Sequence, residues 1–262
     1  LLCPLSTKVG AQAYRQAPML DEAVRAGQLP PVEQRLPPEP MVVTPADGIG
    51  RYGGTWHRMM RGSSDFHAYS RCNYEQMVRW RGSEDGGVDI GPGLVRDWQF
   101  TDGDRTLRLN LRRGLRWSDG APFSTADVLF WWQHIAQDPS LSGTVPSYWT
   151  PDGVPMQVAA VDSYTVDLRF SKPYPLALKY LAFWGNQWPL VFERAGFFAP
   201  RHYLEPFLPG TGEDLQGAGD DVATYALFEQ KANDFSPERP VMSAWRVAEW
   251  VPGSHLLAER LR

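Results

Sequence analysis

The sequence predicts a mixed α/β domain, and three observations lead to that fold class. Between Thr106 and Arg112 leucines alternate with polar residues, a period of two that is typical of a half-buried strand. Ser124 precedes an acidic residue by three positions and a run of apolar residues at helical spacing, which predicts a capped helix. Asp-Gly and Asp-Ser pairs separate strand-like stretches and predict hairpins. Helices interleaved with hairpins favour a mixed sheet with flanking helices.

The first 45 residues differ from the rest of the chain. Residues 17–26 have the pattern of one short amphipathic helix, which Gly27 would end. Extended backbone is then imposed by Pro30, Pro31, Pro37, Pro38 and Pro40. We therefore predict an extended N-terminal arm over residues 1–45, wrapped on the surface of a domain that covers residues 46–262.

The remaining elements are predicted in order within residues 46–262. The predicted strands are Gly53–Met60, Leu94–Phe100, Thr106–Arg112, Val158–Val161, Thr165–Phe170, Ala244–Trp250 and His255–Leu261. The predicted helices are Cys72–Trp80, Ser124–Gln137, Pro175–Trp184, Pro200–Phe207 and Asp220–Lys231.

Composition excludes some classes of function. A chain of 262 residues can build a large core. Its formal net charge of −4 gives no general attraction to nucleic acid, so no nucleic-acid partner is expected. No stretch approaches the ~20 apolar residues of a membrane span. Gly48–Gly53 matches G-x-G-x-x-G, but the strand-like residues that follow favour a simple turn over a dinucleotide site.

One segment carries a family resemblance. Residues Leu111–Val128 read Leu-Arg-x-Gly-x-x-Trp-Ser-Asp-Gly-x-Pro-Phe-x-x-x-Asp-Val, which resembles the signature of the peptide/nickel-binding family (family 5) of extracellular solute-binding proteins. Pro200–Glu205 resembles that family's Pro-Lys-His-Tyr-Leu-Glu, and the arm resembles an N-terminal extension in one branch of it. The resemblance implies a periplasmic-binding-protein-like type II (cluster C) fold from about Gly50 onward.

The resemblance also implies a function. Members of the family capture a small-molecule solute outside the cytoplasm and deliver it to the permease subunits of an ABC importer, as two lobes close on the ligand. Because family chains continue into a second lobe, residues 46–262 are expected to form lobe I only, without the second lobe and the closing segment. No catalytic residue, no metal site and no cofactor are expected, and the implied location is periplasmic or extracellular.

Cys3 leaves lipid anchoring open. It follows two leucines, whereas bacterial lipoprotein sites place a small residue just before the cysteine. We therefore expect Cys3 to be a tail residue, and lipoprotein anchoring is the alternative.

Loop aromatics are the candidate ligand contacts. The first region, residues 63–67 with Tyr74, follows the first predicted strand, where the family's loop touches ligand. The second region, residues 183–188, mixes indoles with amides, which suits a polar organic solute. The third and weaker region is the pair Tyr148-Trp149. Trp117 is instead expected to anchor the core, and Asp119 to make hydrogen bonds within its turn. The candidate ligand-binding residues are Ser63, Ser64, Asp65, Phe66, Tyr74, Tyr148, Trp149, Trp184, Asn186 and Trp188.

The identity of the solute stays open at this level. The family favours an oligopeptide or dipeptide, while the N-terminal arm and the Trp-rich loops leave an oligosaccharide as the alternative. A glycoside hydrolase-like enzyme is a second alternative, although nothing in the sequence positions the pair of carboxylates that it would need.

Overall fold

The computed structural model describes residues 14–43, 48–62, 75–82, 86–182, 197–209 and 221–261. The chain divides into two compact units, Leu1–His57 (with Arg262) and Arg58–Leu261. The predicted arm of residues 1–45 lies within the first unit.

The first unit contains the short helix that the sequence predicts. A 3-10 turn, Pro18–Leu20, leads into helix α1, Asp21–Arg25. Gly27 has a φ of +70°, and the N–H of Gln28 donates to the carbonyl of Ala23 at 2.8 Å. This is the Schellman arrangement, which satisfies helix-end carbonyls and favours glycine, so the predicted end of the helix is confirmed.

Antiparallel strands dominate the second unit. Within its described residues they form a four-stranded sheet of order β3-β4-β6-β5 and two separate hairpins, β1-β2 and β7-β8. The strands are β1 Val78–Gly82, β2 Val88–Pro92, β3 Val95–Thr101, β4 Thr106–Leu111, β5 Gln157–Asp162, β6 Thr165–Arg169, β7 Trp245–Val251 and β8 His255–Arg260. The later helices of the chain are α2 Val32–Arg35, α3 Thr125–Trp131, α4 Pro139–Ser142, α5 Ala177–Leu181, α6 Arg201–Leu204 and α7 Asp221–Ala232.

The four-stranded sheet has one apolar and one polar face. Leu107 pairs with Leu168 across β4 and β6, and both are buried. One residue on, Arg108 pairs with Asp167, and the guanidinium donates two hydrogen bonds of 2.7 and 2.9 Å to the carboxylate. This alternation confirms the half-buried strand predicted from the leucine pattern. The hairpins predicted around Asp102-Gly103 and Asp162-Ser163 are confirmed by the pairs β3-β4 and β5-β6. A third hairpin, predicted from the strands Ala244–Trp250 and His255–Leu261, is confirmed by the pair β7-β8.

Helix α3 begins with the capping box that the sequence predicts. The hydroxyl of Ser124 accepts from the N–H of Ala126 at 3.2 Å, and the Asp127 carboxylate accepts from the N–H of Ser124 at 2.9 Å. The helix continues into a π-helical turn, Trp132–Ala136. Its apolar residues join the apolar face of the sheet in the main core.

Two predicted elements are wrong. The predicted helix Cys72–Trp80 ends in a strand, β1, because residues from Val78 on pair with β2. The carbonyls of Gln76 and Met77, just before β1, accept hydrogen bonds from the N–H groups of Leu94 and Val95 at 2.8 and 2.9 Å. Gly53–Met60 has neither helix nor strand structure, and residues 50–59 are exposed. In the first case strand pairing, which short-range patterns do not encode, decided the conformation.

Candidate functional site

The predicted ligand contacts fall in three regions. Tyr148 and Trp149 lie within the described structure. The others lie outside the described residues: Ser63, Ser64, Asp65, Phe66, Tyr74, Trp184, Asn186 and Trp188. Gly62 and Glu75 on either side of the first region and Ala182 before the second region are described, and they show where these regions join the domain.

The flanks of the first and second regions meet. Gln76, two residues after Tyr74, is buried, and its Nε2 donates to the carbonyl oxygen of Ala182 at 3.3 Å. Ala182 directly precedes the second region. A side chain at Gly93 would not fit here, because its Cβ would lie 2.1 Å from the Gln76 carbonyl oxygen. The two predicted regions therefore join the domain at one tightly packed point.

The third region lies beside the second. The rings of Tyr148 and Tyr180 stack with centroids 5.2 Å apart and planes inclined by 21°. Tyr180 lies two residues before Ala182, and Phe197 is the first described residue after the second region. The Trp149 ring lies 5.3 Å from that of Phe197 and 6.4 Å from that of Tyr180. Tyr180, just before the second region, and Phe197, the next described residue after it, thus contact the Tyr148–Trp149 pair.

The two residues of the third region differ in burial. Trp149 is fully buried, whereas Tyr148 is half-buried. The indole N–H of Trp149 has no hydrogen-bond partner within the described structure. In this structure the Trp149 ring therefore supports the site from the core side, and ligand contact stays a prediction for both residues.

The sequence reasoning did not single out Glu75, which directly follows the first region. Its carboxylate pairs with Arg79, and its pKa is raised because burial removes the carboxyl from water, an effect that the arginine charge opposes. A spacing of four residues is a helical signal, yet here Glu75 precedes strand β1 and Arg79 lies within it. Glu75 adds a hydrogen-bond acceptor to the same end of the domain.

The turn within the family signature, residues 117–121 (the signature turn), has the contacts that the sequence predicts. Trp117 is buried against Phe123 and Phe198. One oxygen of Asp119 accepts from the N–H of Ala121 at 3.1 Å, which confirms the expected turn hydrogen bond. The other oxygen lies 2.7 Å from His202 Nε2.

The described residues contain no cluster of three His, Cys, Asp or Glu side chains placed to hold a metal ion. None of the helices they form is long and apolar enough to cross a membrane. The described site residues supply stacked rings, a buried amide and a carboxyl, which are groups that bind an organic molecule.

A family model described as "Bacterial extracellular solute-binding proteins, family 5 Middle" matches residues 89–260. The chain belongs to this family. The resemblance to this family is thereby confirmed, and so is the predicted fold class, since the similar solved structures are periplasmic binding proteins.

Among curated relatives, the periplasmic alpha-galactoside-binding protein of Rhizobium meliloti (strain 1021) is 28% identical over 94% of this chain. The dipeptide-binding protein of Escherichia coli (strain K12) is 26% identical over 66% of this chain. This chain covers 36% and 35% of the lengths of these two proteins. These relatives are binding proteins by name.

Two solved structures resemble nearly the whole chain. An oligopeptide-binding protein OppA is 32% identical, with a TM-score of 0.78, over 95% of this chain and 38% of its own. The periplasmic binding protein MelB from Agrobacterium fabrum C58, solved in complex with stachyose, is 24% identical, with a TM-score of 0.76, over the same shares. The second likeness supports the fold alone.

Proposed function

We propose that this chain forms one lobe of an extracytoplasmic receptor that captures a small solute for an ABC importer. The observation that carries the proposal is the family match over residues 89–260. The receptor acts by binding, without covalent chemistry, and its partners are the membrane subunits of the importer.

The contacts among described residues next to the three predicted contact regions are consistent with this function. Gln76 and the Tyr180–Trp149–Phe197 cluster attach these regions to a packed core. A rigid base lowers the cost of ordering side chains when a solute binds. Closure of a second lobe over this surface would then be favoured by the difference in solute affinity between closed and open states.

The first candidate solute is an oligopeptide or dipeptide. Similarity to OppA at 32% identity over 95% of the chain supports it. A peptide offers a charged amino terminus, and the carboxyl of Glu75 lies directly after the first predicted contact region.

An oligosaccharide is the second candidate, and a specific observation favours it. The Rhizobium meliloti relative, which is 28% identical over 94% of the chain, is named for binding alpha-galactosides. The stacked rings of Tyr148 and Tyr180 offer the flat aromatic surface that suits the apolar face of a sugar.

We propose that the protein lies in the periplasm or extracellular space, because relatives such as the Rhizobium meliloti protein are named as periplasmic. Lipid attachment at Cys3 is the open alternative to a free protein. Mass spectrometry of the mature N terminus separates them, because a diacylglyceryl group on Cys3 adds a defined mass.

The solute is tested by thermal unfolding of the full-length protein with di- to pentapeptides, and in parallel with raffinose and stachyose. A ligand present at about 100 times its Kd stabilises the native state by about 2.7 kcal/mol and raises the midpoint. A rise with peptides alone supports the first candidate, and a rise with galactosides alone supports the second. No rise with either class contradicts both.

A matched pair of variants connects the result to the site. Tyr148→Leu removes a stacked ring beside the predicted contacts. Tyr164→Leu is the control, because it also removes a half-buried ring, but one that lies just before β6. Phe170 and Tyr174 follow the opposite end of that strand. We expect the first variant, and not the second, to reduce the solute-induced shift.

A further inference from the structure

The signature turn connects two segments that lie far from it in sequence. Ser118 binds Val241 through two hydrogen bonds, from its N–H to the Val241 carbonyl at 2.9 Å and from the Val241 N–H to its hydroxyl at 3.0 Å. The Trp117 ring lies 6.0 Å from the His202 ring, and Asp119 pairs with the same histidine. The turn therefore holds both the segment before β7 and the start of α6.

Asp127, near the end of the same signature, makes the most buried of these connections. Its side chain is 3% exposed. One carboxylate oxygen accepts from the N–H of Ser124 at 2.9 Å, and the other accepts from the N–H of Arg201 at 3.2 Å. Its backbone carbonyl accepts from the N–H of Ala199 at 3.2 Å. A single residue thus joins the first turn of α3 to the first residue of α6.

The segment held by Asp127 contains two consecutive phenylalanines that enter different aromatic clusters. The Phe197 ring lies 4.9 Å from Trp131 and 5.3 Å from Trp149. The Phe198 ring lies 5.3 Å from Phe123. A slip of this segment by a fraction of a residue would remove Phe197 from beneath Trp149, the ring that contacts Tyr148 at 5.4 Å.

We propose that Asp127 is a positioning residue for the solute site: by holding the Arg201 N–H, it fixes residues 197–201 so that Phe197 keeps the Tyr148–Trp149 pair in place. The inference rests on the proposed function for its affinity readout only. A carboxylate suits the task because it has two acceptor oxygens and no donor, so it serves two N–H groups at once.

The test compares Asp127→Asn with Ser124→Ala in the full-length protein. Asparagine keeps one acceptor oxygen and places an NH₂ group opposite the second N–H. Alanine at position 124 weakens the same helix end but leaves the bond to Arg201 intact. Hydrogen–deuterium exchange of residues 197–204 reports the position of the segment. Calorimetric titration with di- to pentapeptides, and in parallel with raffinose and stachyose, reports affinity.

We expect Asp127→Asn to speed exchange in residues 197–204 and to weaken solute binding about tenfold, in line with the loss of one hydrogen bond to a charged group. Ser124→Ala should leave both readouts within about twofold of the wild type. Equal losses of affinity in the two variants would show a general loss of stability and overturn the inference.

A second pair guards against misfolding of Asp127→Asn. Arg201→Pro removes the N–H donor at the first position of α6, where proline is tolerated. Arg201→Ala keeps that donor and removes only the side chain, which pairs with Glu205. Arg201→Pro should reproduce the weakened binding, and Arg201→Ala should not.

The outcomes separate this inference from the proposed function. A wild-type protein that binds neither peptide nor galactoside overturns the proposed function and this inference with it. A wild-type protein that binds, with unchanged affinity in Asp127→Asn and Arg201→Pro, overturns this inference alone.

Discussion

Replacing Phe197 with alanine tests whether the aromatic cluster beneath the candidate site stabilises the domain. The ring is 2% exposed. Removing about 120 Å² of buried apolar surface costs about 3 kcal/mol at about 25 cal/mol per Å². Two ring contacts, with Trp131 at 4.9 Å and Trp149 at 5.3 Å, are lost as well. At about 0.5–1.5 kcal/mol each they bring the expected loss to about 4–6 kcal/mol.

Urea denaturation followed by tryptophan fluorescence measures this loss as a fall in the midpoint at constant slope. Trp80→Ala is the control, because that larger ring is 45% exposed and should cost less than about 1 kcal/mol. A loss below about 2 kcal/mol for Phe197→Ala, or one equal to that of the control, would refute the argument from burial.

Two further predictions concern two glycines in and after β2 and the ion pair between β4 and β6. Gly93→Ala should cost about 2 kcal/mol in thermal unfolding, because its Cβ would collide with the Gln76 carbonyl; Gly91→Ala should cost less, since its Cβ meets only a flexible arginine side chain. Hydrogen bonds from Arg108 lower the pKa of Asp167. The ionised Asp167 carboxylate therefore contributes fully to folding stability above its unfolded pKa, about 4, and this contribution is lost as pH falls through the lower folded pKa. Asp167→Asn should accordingly flatten the acid-induced loss of stability. Equal costs of the two glycine variants, or equal acid slopes of wild type and Asp167→Asn in urea denaturation, would contradict these predictions.

Hairpins and caps were predictable because their signals are short-range. The turn at Asp102-Gly103 requires positive φ at consecutive residues, 53° and 58° here, and Asp and Gly adopt it readily. The capping box of α3 lies within four residues. Such features depend on neighbours in the chain and hardly on the rest of the fold.

The helix predicted over Cys72–Trp80 shows where this reasoning stops. Glu75 and Arg79 have helical spacing, and they do pair. The backbone from Val78 on, including Arg79, nevertheless forms a strand that pairs with β2. Just before it, the carbonyls of Gln76 and Met77 accept hydrogen bonds from residues near the start of β3. Backbone hydrogen bonds to a distant partner outweighed a weak local preference.

The sequence by itself determined the family, three hairpins and the capped helix, because each depends on residue types at fixed short spacing. Only the tertiary structure decided that Gln76 meets Ala182, that Trp149 belongs to the core beneath Tyr148, and that Asp127 reaches Arg201. These contacts join residues up to 106 positions apart. Their formation depends on strand register and on how helices pack against the sheet, which local patterns do not specify.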